Sequence, residues 1–178
     1  MAVSHKLLYL VLFAFECGFV LLVSRRTARD AQTVGDLIGG RWRSWRDLAR
    51  DIVLAAAMWG AWLGIASLLT MMLPAVPNTA ALSMLPNGPL ESAMWIVLSV
   101  SAGFAEELLF RGYLQRKLGV FAQAVIFGVL HFYQGLFPVI RIVVYGLLFG
   151  AVARWRRSLR PGMIAHAWTD IAAGLLRW

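Results

Sequence analysis

Apolar residues dominate six stretches of the chain, and charged residues or Pro and Gly separate one stretch from the next. The stretches cover residues 7–24, 52–73, 90–110, 119–134, 138–153 and 161–176. Apolar runs of this length are typical of membrane-spanning helices. The pattern therefore predicts an all-α fold, a polytopic membrane helix bundle of about six transmembrane helices that forms one integral-membrane domain over residues 1–178. We expect the first stretch to be a retained span, because it lacks a clear small-residue cleavage site.

The composition excludes an ordinary soluble domain. The 178 residues are 60% hydrophobic, and the mean hydropathy is +0.70. The single cysteine, Cys17, lies in an apolar stretch and cannot form an internal disulfide. The bilayer is thus the expected surroundings of the chain, and short interhelical loops leave little room for other domains.

The net charge of +8 comes from basic residues that cluster in alternate loops, as the positive-inside rule expects. This distribution argues against nucleic acid as a partner and for insertion in the plasma membrane, with both termini extracytoplasmic. The other side carries only Lys6, Arg141 and Arg177. Fourteen basic residues fall on the predicted cytoplasmic side: Arg25, Arg26, Arg29, Arg41, Arg43, Arg46, Arg50, Arg111, Arg116, Lys117, Arg154, Arg156, Arg157 and Arg160.

Two adjacent glutamates, Glu106 and Glu107, interrupt the third apolar stretch. A carboxylate at the centre of a membrane helix costs about 3 kcal/mol on insertion scales. The pair therefore either lies at the interface with partners or serves chemistry in a wet cavity. The other ionisable residues within the stretches are Glu16, His131, Arg141, His166 and Asp170.

Helix spacing brings four of these residues together. The third and fourth stretches form a predicted hairpin that turns near Leu118 and Gly119. Glu106 is twelve residues before Leu118 and His131 twelve after Gly119, so both lie about 18 Å from the turn. His166 and Asp170 are four residues apart and share one helix face, which could reach the same cavity.

The two glutamates differ in their expected roles. Glu107 and Arg111 have the i,i+4 spacing of a helix ion pair, so Glu107 is predicted to support the structure. Glu106 points about 100° away and is the candidate general base, with His131 sharing the activation of a water. His166 and its polar neighbour could stabilise an oxyanion. Each set also has a purely structural alternative: a packing histidine, an interhelical hydrogen-bond pair or an interfacial acid pair.

At these residues the chain resembles the CAAX protease and bacteriocin-processing (CPBP) intramembrane proteases. Residues 106–111, EELLFR, look like the family's EExxxR motif, residues 127–131, FGVLH, like its FxxxH motif, and residues 166–170, HAWTD, like its last motif. The likeness covers about residues 92–170, within a catalytic half of about 90–176.

The resemblance implies an intramembrane endopeptidase whose polar cavity is open toward the cytoplasm. Glu106 with His131 would activate water, and His166 with Asp170 would form the oxyanion site. The expected substrate is a membrane-associated protein or peptide, processed as a CAAX-type end, a leader or a sorting tail. Asp170 departs from the Asn of the prenyl-protein endopeptidases, and an ionised Asp cannot donate a hydrogen bond, which puts a prenylated substrate in doubt.

Two alternatives remain open at this point. The favoured mechanism is glutamic-type, without a cofactor, but Glu106, His131 and His166 are also a donor set that would suit Zn²⁺. The chain lacks the HExxH motif of many zinc peptidases. The second alternative is a non-catalytic membrane protein of the same family, acting in bacteriocin immunity or as an assembly partner. The short loops and six spans suggest a bacterial origin.

Overall fold

The computed structural model of the protein describes residues 4–72 and 79–176, and all of the regular elements in these ranges are helices, with no β-strand among them. The prediction of an all-α membrane bundle is therefore confirmed. The described residues include neither the chain ends, with Arg177 among them, nor the segment that contains Pro74 and Pro77. The elements are α1 (His5–Arg29), α2 (Val34–Ile38), α3 (Trp45–Met72), α4 (Thr79–Leu82), α5 (Pro89–Glu106), a π-helix (Glu107–Leu114), α6 (Gln115–Leu130), a 3₁₀ helix (Phe132–Gln134), α7 (Leu136–Arg156) and α8 (Arg160–Leu176).

Four helical stretches in the described part of the chain are long and apolar enough to cross a membrane. All six predicted segments are helical, but those at 90–110 and 119–134 belong to one stretch of 42 residues. The sixth segment is α8, whose 17 residues fall short of the roughly 20 that a full span requires. The four stretches are His5–Arg29, Trp45–Met72, Pro89–Leu130 and Leu136–Arg156.

The 42-residue stretch is bent into the predicted hairpin at Gly119. Its φ of 84° and ψ of 170° are far from helical values, and glycine reaches positive φ without a Cβ clash. Beyond this turn α6 packs back against the π-helix. The rings of Phe110 and Phe127 lie 4.8 Å apart and are nearly equidistant from the turn, which agrees with the depth arithmetic of the sequence analysis.

The loops at one end of the bundle contain most of the basic residues, and we call this end the arginine-rich end. Asp51 of α3 is fully buried there and lies 3.0 Å from Nε of Arg160 and 3.6 Å from Nη2 of Arg156. The indole of Trp42 donates to the same carboxylate at 2.8 Å. Burial of this acid beside two cations joins the start of α3 to the α7–α8 turn.

The short helix α2 is attached to the same end. Hydrogen bonds from the backbone and hydroxyl of Thr33 form a capping box with Asp36 and lower the pKa of that carboxyl. The N–H of Leu159 donates to the carbonyl of Ile38 at 2.9 Å. These bonds fix the α1–α3 connection beneath α8.

The opposite, arginine-poor end joins α1 to the segment before α5. Tyr9 donates to the carbonyl of Met84 at 2.7 Å, and His5 contacts the Glu91 carboxylate at 2.9 Å. The 3₁₀ helix between α6 and α7 lies at this end too, beside α4.

Small residues allow the central helices to approach closely. A Cβ on Gly103 of α5 would lie 2.7 Å from the carbonyl oxygen of Met163 in α8. Of the two GxxxG spacings in the long apolar helices, Gly146 and Gly150 of α7 face α6 closely, whereas Gly60 and Gly64 of α3 meet nothing within 4 Å. Close packing is thus concentrated around α5, α6, α7 and α8.

Candidate active site

A cavity of about 300 Å³ brings together all four residues predicted to carry the chemistry. It lies among α1, α5, α8 and the 3₁₀ helix, and it also contacts the segment before α5. Polar side chains supply much of its wall: Glu16, Ser99, Glu106, His131, Tyr133, Gln134, His166 and Asp170. A polar cavity inside an apolar bundle can hold the water that a hydrolytic reaction requires.

The last residue of α5 and the first of the π-helix present their carboxylates to opposite edges of one imidazole. Oε1 of Glu107 lies 3.1 Å from Nδ1 of His166, whereas Oε2 of Glu106 lies 3.8 Å from Nε2 of the same ring. A regular α-helix is expected here from the spacing of the residues, but i→i+5 bonds begin at Glu107, and the N–H of Gln115 donates to the carbonyl of Phe110. Both glutamates therefore contact His166.

The predicted ion pair of Glu107 and Arg111 is present and sealed from solvent. Nη1 of Arg111 lies 3.0 Å from Oε1 of Glu107, and the two side chains are 0% and 1% exposed. The guanidinium carbon lies 4.3 Å from the centre of the Phe127 ring, within cation–π range. Because a paired carboxylate only accepts hydrogen bonds, Nδ1 of His166 must carry the hydrogen in its bond to Glu107.

His131 ends α6 and has its tautomer set by the backbone. Its Nδ1 lies 2.8 Å from the carbonyl oxygen of Phe127, one helical turn earlier. A carbonyl oxygen accepts only, so Nδ1 carries the hydrogen and, in the neutral ring, Nε2 remains an acceptor. The four-residue spacing of Phe127 and His131 thus allows the backbone carbonyl of Phe127 to hold the imidazole of His131.

Asp170 faces the other nitrogen of His166 from one turn along α8. Its Oδ2 lies 3.6 Å from Nε2, and its side chain is 35% exposed. The contact that fixes the tautomer of His166 is made by Glu107, which occupies Nδ1. Asp170 lies beside the other ring nitrogen, the one that faces Glu106.

Glu16 is the cavity residue that sequence reasoning did not assign. It lies on α1, is 7% exposed, and accepts a hydrogen bond from the hydroxyl of Ser101 on α5. Its position in the middle of the first apolar stretch was a sufficient signal, since an ionisable residue within a membrane helix is a functional candidate. What sequence could not show is that α1 packs against α5 and brings Glu16 to the cavity.

The same side chains do not form a metal site in this arrangement. Across residues 4–72 and 79–176, no three His, Cys, Asp or Glu side chains converge as ligands for one ion. Nδ1 of His166 is bonded to Glu107 and Nδ1 of His131 to a backbone carbonyl, so Nε2 is the atom that each ring could offer to a metal. Glu106, His131 and His166 do not converge on one point in this arrangement, so the geometry supports no chemical step at a metal ion.

The cavity walls lie toward the arginine-poor end. They include Met84 and Leu85 from the segment before α5, and Tyr133 and Gln134 from the 3₁₀ helix. The distribution of basic residues predicts a cytoplasmic arginine-rich face, and the family resemblance implies a cavity open toward the cytoplasm. These two expectations cannot both hold, because the cavity and the arginine-rich loops are at different ends of the bundle.

Comparison with known proteins agrees with the motifs. Residues 88–172 match the family model described as type II CAAX prenyl endopeptidase Rce1-like. The chain is also 37% identical over 73 residues to YpbD of Bacillus subtilis (strain 168), an uncharacterised protein. The matched residues are 40% of this chain and 39% of YpbD, so the chain spans about two fifths of the length of that relative. No solved structure matches the chain.

Proposed function

We propose that this chain, which belongs to the CAAX protease and bacteriocin-processing family, is an intramembrane endopeptidase that hydrolyses a peptide bond with a water activated by Glu106 and His131. The observation that carries the proposal is the polar cavity, in which the accessible carboxylates of Glu106 and Asp170 lie with two histidines of defined tautomer. The substrate would be a membrane-associated protein or peptide, and the setting a bacterial plasma membrane.

The attacking step uses Glu106 as the general base. As the water oxygen bonds to the carbonyl carbon of the substrate, Glu106 takes one water proton, and Nε2 of His131 accepts a hydrogen bond from the other. The proton on Glu106 then passes to the amide nitrogen as the C–N bond breaks. The side chain of Glu106 is 21% exposed, which leaves room for the water between base and substrate.

The oxyanion would be held by His166. When this ring is protonated, Nε2–H points toward the cavity while Nδ1–H remains bonded to Glu107. Asp170 and Glu106 flank that nitrogen, and their negative charges favour a cationic ring. A charged donor of this kind can stabilise the tetrahedral intermediate by a few kcal/mol.

The proposal is tested with Glu106→Gln, which keeps the size of the side chain and removes the base. We expect peptide hydrolysis to fall by about 10²- to 10⁴-fold. Mass spectrometry of polypeptide termini in membrane fractions should show termini that are present with the wild-type protein and missing with the variant. Glu91→Gln is the matched control, because it changes a carboxylate on the same helix outside the cavity. If the same termini persist with Glu106→Gln, the enzyme assignment is wrong and a non-catalytic family role gains support.

Metal dependence has a separate test. Dialysis of the purified protein against a strong chelator should leave cleavage unchanged if Glu106 acts without a metal. Loss of cleavage that added Zn²⁺ restores would contradict the glutamic-type mechanism. Metal analysis of the dialysed sample confirms that removal was complete.

A further inference from the structure

The catalytic cavity reaches the surface at the arginine-poor end. Tyr133, which lines the cavity, has 54% of its surface exposed. It lies in the 3₁₀ helix that joins α6 to α7, and Met84 and Leu85 line the same region from the segment before α5. A polypeptide could therefore approach Glu106 past this turn.

The other side of the cavity is closed by buried side chains. Glu107 and Arg111 form the sealed ion pair, and Phe127 lies against the guanidinium. Phe127 is 2% exposed and Phe149 is fully buried, with Tyr145 stacked on Phe149 at a ring distance of 3.9 Å. This charged and aromatic layer separates the cavity from the arginine-rich end.

The distribution of basic residues orients the two ends. Arg111 is buried within the bundle and is therefore not a loop charge. The other thirteen basic residues assigned to that side are exposed or partly exposed. The arginine-poor end carries Lys6 and Arg141 among the described residues. An excess of this size in short loops places the arginine-rich end in the cytoplasm.

From these observations we infer that the catalytic cavity opens on the extracytoplasmic face, and that its substrates are membrane-anchored polypeptides whose scissile segment has already crossed the membrane. The substrate class rests on the proposed function, whereas the direction of the opening does not. His131 lies twelve residues beyond the cytoplasmic turn at Gly119, about 18 Å along α6, in a hydrocarbon core of about 30 Å. An extended segment of about four residues would then reach it from outside.

Cysteine accessibility tests the direction of the opening without any substrate. In a Cys17→Ala background, which removes the single native cysteine, Ala173→Cys places a thiol on the cavity wall. Leu136→Cys marks the arginine-poor surface and Lys117→Cys the opposite one. A membrane-impermeant maleimide should label the thiols at 173 and 136 in intact spheroplasts, and the thiol at 117 only in inverted vesicles.

Each labelling outcome decides one part of the inference. Labelling at 136 and 173 only in inverted vesicles would overturn the extracytoplasmic assignment. Labelling at 136 but not at 173 from outside would show that the cavity is closed on that face and would overturn the opening. Tyr133→Cys replaces Leu136→Cys if the latter fails to accumulate in the membrane.

The terminal-peptide comparison tests the substrate class. Termini that depend on Glu106 should fall in segments that lie outside the cytoplasm. If they fall in cytoplasmic segments, the inference is wrong even though the enzyme assignment stands. If no terminus depends on Glu106, the endopeptidase assignment fails, and with it the substrate class, while the labelling still decides the direction of the opening.

Discussion

Glu106 and Glu107 are neighbours in the chain but occupy two different regions of the molecule. Glu107 is in the sealed layer, bonded to Arg111 and His166, with 1% of its side chain exposed. Glu106 is on the cavity side, with 21% exposed and a looser contact to His166. The difference shows that a carboxylate with a buried cation beside it stabilises the fold, whereas a neighbouring carboxylate without one is available for a reaction. Substitutions on the sealed side should lower the free energy of unfolding, and those on the cavity side should leave it nearly unchanged.

The largest effect on stability is expected from Arg111→Leu. This change leaves Glu107 buried without its cation, which costs about 3–5 kcal/mol for a buried pair. Unfolding of the purified protein in mixed detergent and SDS micelles would measure it. Arg116→Leu is the control, because Arg116 is exposed and should change stability by less than about 0.5 kcal/mol. Equal effects of the two substitutions would contradict a sealed, structural ion pair.

A smaller decrease in the free energy of unfolding is expected at the contact between α5 and α8, where the two regions meet. In Gly103→Ala the new methyl group would lie 2.7 Å from the Met163 oxygen and 2.9 Å from the Ala167 nitrogen. The helices must then separate, at a cost of about 1–3 kcal/mol. Gly64→Ala is the matched control, since nothing lies within 4 Å of that position and alanine favours a helix by about 0.5–1 kcal/mol. A stabilising Gly103→Ala would show that the two helices are not in close contact.

The smallest effect on stability is expected from Glu106→Gln. The free energy of unfolding should stay within about 0.5 kcal/mol of wild type, although hydrolysis is lost. Glu107→Gln, one residue away, should lower it by about 3–5 kcal/mol, because Arg111 is then left buried without its anion. The same micelle titration measures both variants. If Glu106→Gln is as destabilising as Glu107→Gln, the division between a structural and a chemical carboxylate fails.

Much of the architecture could be predicted because hydropathy and helix rise are local properties. The apolar stretches are helices, and the twelve-residue spacings from Glu106 to Leu118 and from Gly119 to His131 predicted that both residues lie at one cavity, where the structure has them. The i,i+4 spacing likewise anticipated the pair of Glu107 and Arg111. These inferences needed only the rise per residue and the position of one turn.

Other features depend on tertiary packing and could not be read from spacing. The π-helix at Glu107–Leu114 has no clear composition signal, and it brings both glutamates to His166. The contribution of Glu16 depends on the packing of α1 against α5. The rise per residue gives the depth of a residue in the bundle, but it does not show which end of the cavity is closed. The aromatic rings around Arg111 close one end.

The π-helix makes the active site sensitive to chain length within a single helix. Loss of one residue from Glu107–Leu114 would allow ordinary α-helical turns to form there. Every side chain after the deletion would then rotate by about 100° about the helix axis relative to those before it. The bundle could still insert with nearly the same hydrophobic length, but the turn at Gly119 and all of α6 would rotate relative to Glu106 and Glu107. A deletion that hydropathy would judge harmless is therefore expected to move His131 out of the cavity that it shares with Glu106.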